Sequence, residues 1–118
     1  MKKIIFYSYL RCSTCRKAAK WLKSKDFEFQ LIDIVKEPPL VKYLNLAFKQ
    51  YSDDKKRIFN TRGKAFKTID LDIDSLSKEK IIQLLLSDGK LIKRPFLVYE
   101  EKKVILGFNE IEYAKQFI

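Results

Sequence analysis

The pair Cys12 and Cys15, set between an apolar run and an amphipathic one, constrains this chain more than any other feature. Residues 2–8 (KKIIFYS) are rich in Ile and aromatics and read as a strand buried on both faces. Residues 9–14 connect. From about Thr14 to Lys25 the period becomes helical, with Cys15, Ala19 and Leu22 on one face and Lys17, Lys20 and Lys23 elsewhere. Phe27, Phe29 and Leu31 then alternate with polar residues before Ile32, the pattern of a second strand. Strand, cysteine loop, helix, strand is a βαβ unit, which requires parallel strands and a right-handed crossover.

The remainder fits an α/β chain of one domain spanning residues 1–118. Glu37-Pro38-Pro39 breaks the chain and starts a helix, along which Leu40, Leu44, Ala47, Phe48 and Tyr51 recur at helical spacing. A short helix is expected at 55–60 and little regular structure at 62–70. Ser77 is placed to cap a helix through Ile81, Ile82, Leu85 and Leu86 that ends at Asp88-Gly89. Residues 96–99 and 104–106 form two β runs joined as a hairpin. Asn109 with Glu112 resembles a capping box, and Ile111, Ala114, Phe117 and Ile118 make the buried face of a last helix.

The two cysteines are the only ones, and there is no histidine. Cys–His nucleophile pairs and imidazole metal sites are thereby excluded. Two thiolates are too few for a zinc centre of four ligands. A pair so close is no secreted disulfide framework. Redox chemistry is what the pair suits, although two idle thiols share the same spacing. A helix N-terminus carries about half a positive charge and unpaired N–H groups, and both favour thiolate. Arg11, Arg16 and Lys17 push the same way. Cys12 is therefore the expected nucleophile, and Cys15, one turn into the helix and more buried, the expected resolving thiol that closes a disulfide. The inner pair Ser13-Thr14 supplies hydroxyls suited to capping the helix and to cradling an oxyanion beside the sulfur.

Arg94-Pro95 is a second candidate element, because an Arg before Pro is extended. Arg62 is a candidate second guanidinium, whose planar fork suits oxyanions. Either arginine serves equally well in a surface salt bridge. The net charge is +10, and residues 1–25 hold eight Lys/Arg without one acid. This suits an anionic partner or a plain solvated surface. Direct nucleic-acid binding is not expected, for want of any nucleic-acid-binding signature. No membrane segment or signal peptide is visible, so a cytoplasmic protein is expected.

The segment Tyr9-Leu10-Arg11-Cys12-Ser13-Thr14-Cys15-Arg16-Lys17-Ala18 resembles the active-site loop of the arsenate reductase/Spx family, which includes MgsR-type regulators. Thr61-Arg62-Gly63-Lys64-Ala65-Phe66, Ser87-Asp88-Gly89-Lys90-Leu91-Ile92-Lys93-Arg94-Pro95-Phe96 and Val104-Ile105-Leu106-Gly107-Phe108-Asn109-Glu110 are similar to its later blocks. The resemblance implies a thioredoxin-like mixed sheet flanked by helices, with a helical insertion, a cis bond at Pro95 and Arg94 facing Cys12. It implies a thiol reductase whose Cys12 attacks an oxyanion or disulfide, with Arg62 and Arg94 holding the anion. No bound cofactor is implied. Glutathione with glutaredoxin, or thioredoxin, serves as electron donor. A further arginine of the reductases has no counterpart in Leu106-Gly107-Phe108-Asn109. The alternative the resemblance implies is an Spx-type redox-sensing regulator that binds the RNA polymerase α subunit. The glycine of the polymerase contact has no match in residues 51–57, and the basic extension of Spx has none after Ile118.

Overall fold

The computed structural model describes residues 3–117. Lys2 at the head of the expected first strand and Ile118 at the end of the expected last face lie outside the described residues. Four strands, β1 (Ile4–Ser8), β2 (Gln30–Asp33), β3 (Phe96–Tyr99) and β4 (Lys103–Leu106), form one sheet in the order β2-β1-β3-β4. β1 pairs parallel with β2, and antiparallel with β3, which pairs antiparallel with β4. The helix α1 (Ser13–Ser24) makes the crossover from β1 to β2.

Side chains alternate across a strand, and β1 uses both faces. Ile4 and Phe6 pack with Ala18, Trp21, Leu22, Leu97 and Ile105 on one side. On that side α5 (Glu110–Phe117) adds Tyr113 and Phe117. Ile5 and Tyr7 face the other way, where α2 (Val41–Gln50) and α4 (Lys78–Ser87) supply Leu44, Ala47, Ile81 and Leu85. Two covered faces explain why β1 reads as an unbroken apolar run, each such side chain contributing about 1.5–3 kcal/mol.

Between α2 and α4 the chain forms 3-10 turns at Lys55–Ile58 and Ile73–Ser75 and a single α-helical turn, α3 (Lys64–Lys67). The last is the one regular piece within 62–70, where little regular structure is expected. Another 3-10 turn, Gly89–Leu91, follows α4. α4 ends at Asp88, whose backbone is extended, and Gly89 after it is closely packed: a Cβ there would meet the Ile34 carbonyl and lie 2.8 Å from Val35 Cα. The cap is Asp88, whose side chain accepts from the Lys90 N–H.

Three expected faces are rotated. On α1 the buried residues are Cys15, Ala18, Trp21 and Leu22, with Ala19 at the margin, because Trp21 reaches across to Phe27, Tyr113 and Phe117. On α5 the buried residues are Tyr113 and Phe117, while Ile111 is 70% exposed. Tyr113 takes the core position because its hydroxyl finds the Gly107 carbonyl at 3.2 Å, so a buried donor is satisfied. Leu31 on β2 is exposed, not inward, since β2 is an edge strand. Asn109 does cap α5, accepting from the Glu112 N–H at 3.0 Å, but the Glu112 carboxylate accepts from Gln116 instead of reaching back.

Candidate active site

β1 ends at Ser8, and the loop turns sharply, the Cys12 N–H donating to the Tyr9 carbonyl at 3.0 Å. Cys12 is the N-cap of α1: its backbone is extended and its Sγ accepts from the Cys15 N–H at 3.3 Å. A sulfur thus stands where a cap oxygen ordinarily stands, and it receives one of the helix's unpaired donors. This corrects the expectation that Ser13 or Thr14 caps the helix. Both lie inside the first turn and are exposed.

The environment separates the two thiols. Both are free. Cys12 is half-buried, and burial alone raises its pKa. The hydrogen bonds from the Cys15 thiol and N–H, together with the Arg94 guanidinium, outweigh burial and bring it below the ordinary thiol value. Cys15 is 1% exposed. Its burial, reinforced by the hydrogen bond to Cys12, pushes its pKa up to about 12. The outer sulfur is the nucleophile of the pair on both accessibility and charge, and the inner one stays protonated.

Arg94 is distant in sequence but stands immediately before β3, the neighbour of β1, and the Arg94–Pro95 bond is cis. Its guanidinium stacks over the Tyr9 ring, 4.9 Å from the centroid. Its Nη1 is buried without a hydrogen-bond partner. A buried, unpaired donor on a cation is costly unless something negative completes it. Cys12, Cys15 and Arg94 are therefore together, with Tyr9 as the platform.

Arg62 is not in this group. Phe59 bridges Ile92 antiparallel, with the Lys93 N–H donating to Ile58 and the Asn60 N–H to Leu91. The chain after Asn60 consequently runs toward Lys90, away from Arg94, and Arg62 is exposed in the turn before α3. The side chains with the largest effect on the Cys12 sulfur are Cys15 and Arg94.

Sequence reasoning missed three supports. Tyr9 beneath Arg94 carried no local signal, since its partner lies at the opposite end of the chain. Arg16 braces the cysteine loop, its Nη1 donating to the Leu10 carbonyl at 2.7 Å. Lys93 lies along Gly107, where a Cβ would sit 3.2 Å from Lys93 Cε. Gly107 has a φ of 72°, which disfavours a larger residue there, and the cation at this end of the hairpin is Lys93. No cluster of metal-ligating side chains occurs among the described residues.

The ArsC family model matches residues 7–116. The protein YusI of Bacillus subtilis strain 168, itself uncharacterized, is 36% identical over 97% of this chain and 98% of its own. The global transcriptional regulator Spx of Lactiplantibacillus plantarum is 31% identical, covering 95% of this chain and 84% of that protein. The crystal structure of a possible arsenate reductase from Streptococcus mutans UA159 superposes with a TM-score of 0.86 at 34% identity, over 97% of this chain and 98% of that one.

Proposed function

The chain belongs to the ArsC family, and from that premise we propose that it is an arsenate-reductase-like thiol redox protein in which Cys12 attacks and Cys15 resolves. The observation that carries this reading is the Cys12 sulfur at the α1 cap, half-exposed, beside Arg94 whose Nη1 is buried and unpaired. An oxyanion or the negative end of a polarised disulfide completes that guanidinium while the thiolate attacks the central atom or the nearer sulfur. Cys15 then displaces the product from Cys12 and closes the internal disulfide. A thioredoxin or glutaredoxin dithiol returns the pair to the reduced state. The protein works as one domain: its radius of gyration of 13.8 Å is near the roughly 13.5 Å of a compact domain of this length. It works in the cytosol, where thiols are kept reduced. No helix among the described residues is long and apolar enough to cross a membrane.

The test is arsenate-dependent NADPH oxidation, coupled in parallel through glutathione with glutaredoxin and through thioredoxin. Turnover is expected with at least one donor and is expected to vanish in Cys12→Ser. Undiminished turnover in that variant sinks the reading.

The similarity to Spx favours a second reading, a redox-switched partner of the RNA polymerase α subunit. Capture of the α subunit that changes when Cys12 and Cys15 are oxidised supports it; absence of capture in both redox states removes it.

A further inference from the structure

The loop around Cys12 carries two leucines that the chemistry above leaves unused. Leu10 is 83% exposed and Leu31 is 65% exposed. With Ser8, Ile32 and Asp33 they line one hollow of about 200 Å³ at the C-terminal ends of the parallel strands β1 and β2. That is the end of the sheet from which the cysteine loop leaves. Cavities for free small-molecule ligands run about 300–1,000 Å³, so this hollow is small for one, yet it admits an anchoring side chain of a protein. A small oxyanion has no use for it either, since its counterpart is the Arg94 guanidinium.

The presentation of Leu10 is fixed, not incidental. The Arg16 guanidinium holds the Leu10 carbonyl at 2.7 Å, leaving the side chain outward. Leu31 stands on β2, and no strand lies beyond β2 among the described residues. The opposite edge is closed: the Gln50 side chain donates to the Val104 carbonyl at 2.8 Å and accepts from the Val104 N–H at 2.7 Å. Asp33, the one acid in the hollow, is occupied by the Val35 and Lys36 N–H groups at 2.9 and 3.2 Å. The exposed Arg11 directly follows Leu10, and residues 1–25 hold eight cations without an acid, so the apolar patch adjoins a basic stretch.

We propose that the Leu10–Leu31 hollow is the docking surface of the reducing protein, a dithiol reductase whose own contact face is apolar with an acidic rim. The inference rests on the thiol-reductase reading above and adds where its electron donor sits. Cys15 is buried, so an incoming thiolate reaches only the Cys12 sulfur of the Cys12–Cys15 disulfide. Attack there forms a mixed disulfide between the reductase and Cys12 and breaks the Cys12–Cys15 bond. The electron pair of that bond leaves on Cys15, which takes up a proton. The reductase's second thiolate then attacks its own sulfur in the mixed disulfide and releases the Cys12 thiolate. One reductase dithiol becomes a disulfide and one Cys12–Cys15 disulfide becomes a dithiol, with two electrons transferred. Such an encounter brings the partner's surface onto the residues beside Cys12, and Leu10 is two positions away.

The test compares single-turnover reduction of the oxidised full chain by thioredoxin and by dithiothreitol, in wild type, in Leu10→Ser/Leu31→Ser and in Ile111→Ser. Both leucines are exposed, so the double variant keeps its fold, and the dithiothreitol rate checks that directly. The double variant is expected to lose about tenfold in the thioredoxin rate while its dithiothreitol rate stays within about twofold. Ile111→Ser, the loss of an exposed apolar side chain on α5, is expected to leave both rates unchanged. An unchanged thioredoxin rate in the double variant, or an equal fall with both reductants, overturns the docking surface. A wild-type disulfide that dithiothreitol reduces and thioredoxin does not also overturns it, with the thiol-reductase reading intact. Failure of the wild type to form a Cys12–Cys15 disulfide at all sinks that reading instead.

Discussion

One sulfur used as a helix cap does two things at once. It accepts the Cys15 N–H, which stabilises the first turn, and the same hydrogen bond favours the thiolate. The thiol of Cys15 and the Arg94 guanidinium add to it against the opposing effect of burial. The thiolate is the reactive form, so a lowered pKa means more reactive sulfur at a given pH. Iodoacetamide at neutral pH is therefore expected to place one adduct on the native chain, at Cys12, with Cys15 modified only after unfolding. The pH–rate profile of that reaction is expected to reach its midpoint below the roughly 8.5 of a free thiol. In Arg94→Ala a lowering influence is gone and the midpoint is expected to move up. Peptide mass mapping with timed alkylation reads both results. A native adduct at Cys15, or a midpoint indifferent to Arg94, contradicts the account.

At the level of elements, what was legible in the sequence was whatever a short stretch decides for itself. Alternation and period placed β1, α1, β3 and β4 within a residue or two, and the Ser77 cap of α4 is real, accepting from the Lys80 N–H at 3.2 Å. The choice of which flank of a helix is buried was less legible, because it depends on partners distant in sequence. On α5 an aliphatic Ile111 looked like the better core residue, yet Tyr113 and Phe117, four apart, meet Trp21 from α1. The site divides along the same line. Cys12 and Cys15 announce themselves locally. Arg94 joins them only through the pairing of β3 with β1, and Arg62 stands exposed after a pairing of residues 58–60 with 91–93 that has no periodic signature. Two substitutions probe the joints between elements. Gly89→Ala drives a methyl into the Ile34 and Val35 backbone and is expected to destabilise by about 2–4 kcal/mol. Asn109→Ala removes only the α5 cap, costing about 1 kcal/mol. Glu112→Ala, without a reciprocal bond to Asn109, is expected to cost less than Asn109→Ala. Urea unfolding ranks the three, and any other order rejects these assignments.

The molecule as a whole carries +10, and its first 25 residues hold eight cations and no anion, with the reactive sulfur among them. Exposed Arg11 is next to Cys12 in the chain, Lys17 lies five positions on, and Arg94 acts on the same sulfur. A field of this kind attracts anions to the sulfur before any specific contact forms. Two aromatic disulfides of similar reactivity separate this effect from intrinsic nucleophilicity: one a dianion bearing carboxylates, the other uncharged. Raising salt from about 0.01 M to about 1 M shortens the screening length from about 30 Å to about 3 Å. Attraction between a cationic surface and an anionic reagent is lost over that range, so the rate with the dianion must fall. The expected loss is on the order of tenfold. The uncharged disulfide feels no such attraction, and its rate is expected to change little. Part of the loss belongs to the loop and part to the rest of the surface. Lys17→Gln, which keeps the helix and removes one nearby charge, is therefore expected to weaken the salt dependence without abolishing it. Stopped-flow rates with Cys12 as the only accessible thiol give both slopes. Equal slopes for the charged and uncharged reagents mean that the basic surface is only solvated and has no part in bringing anions to Cys12.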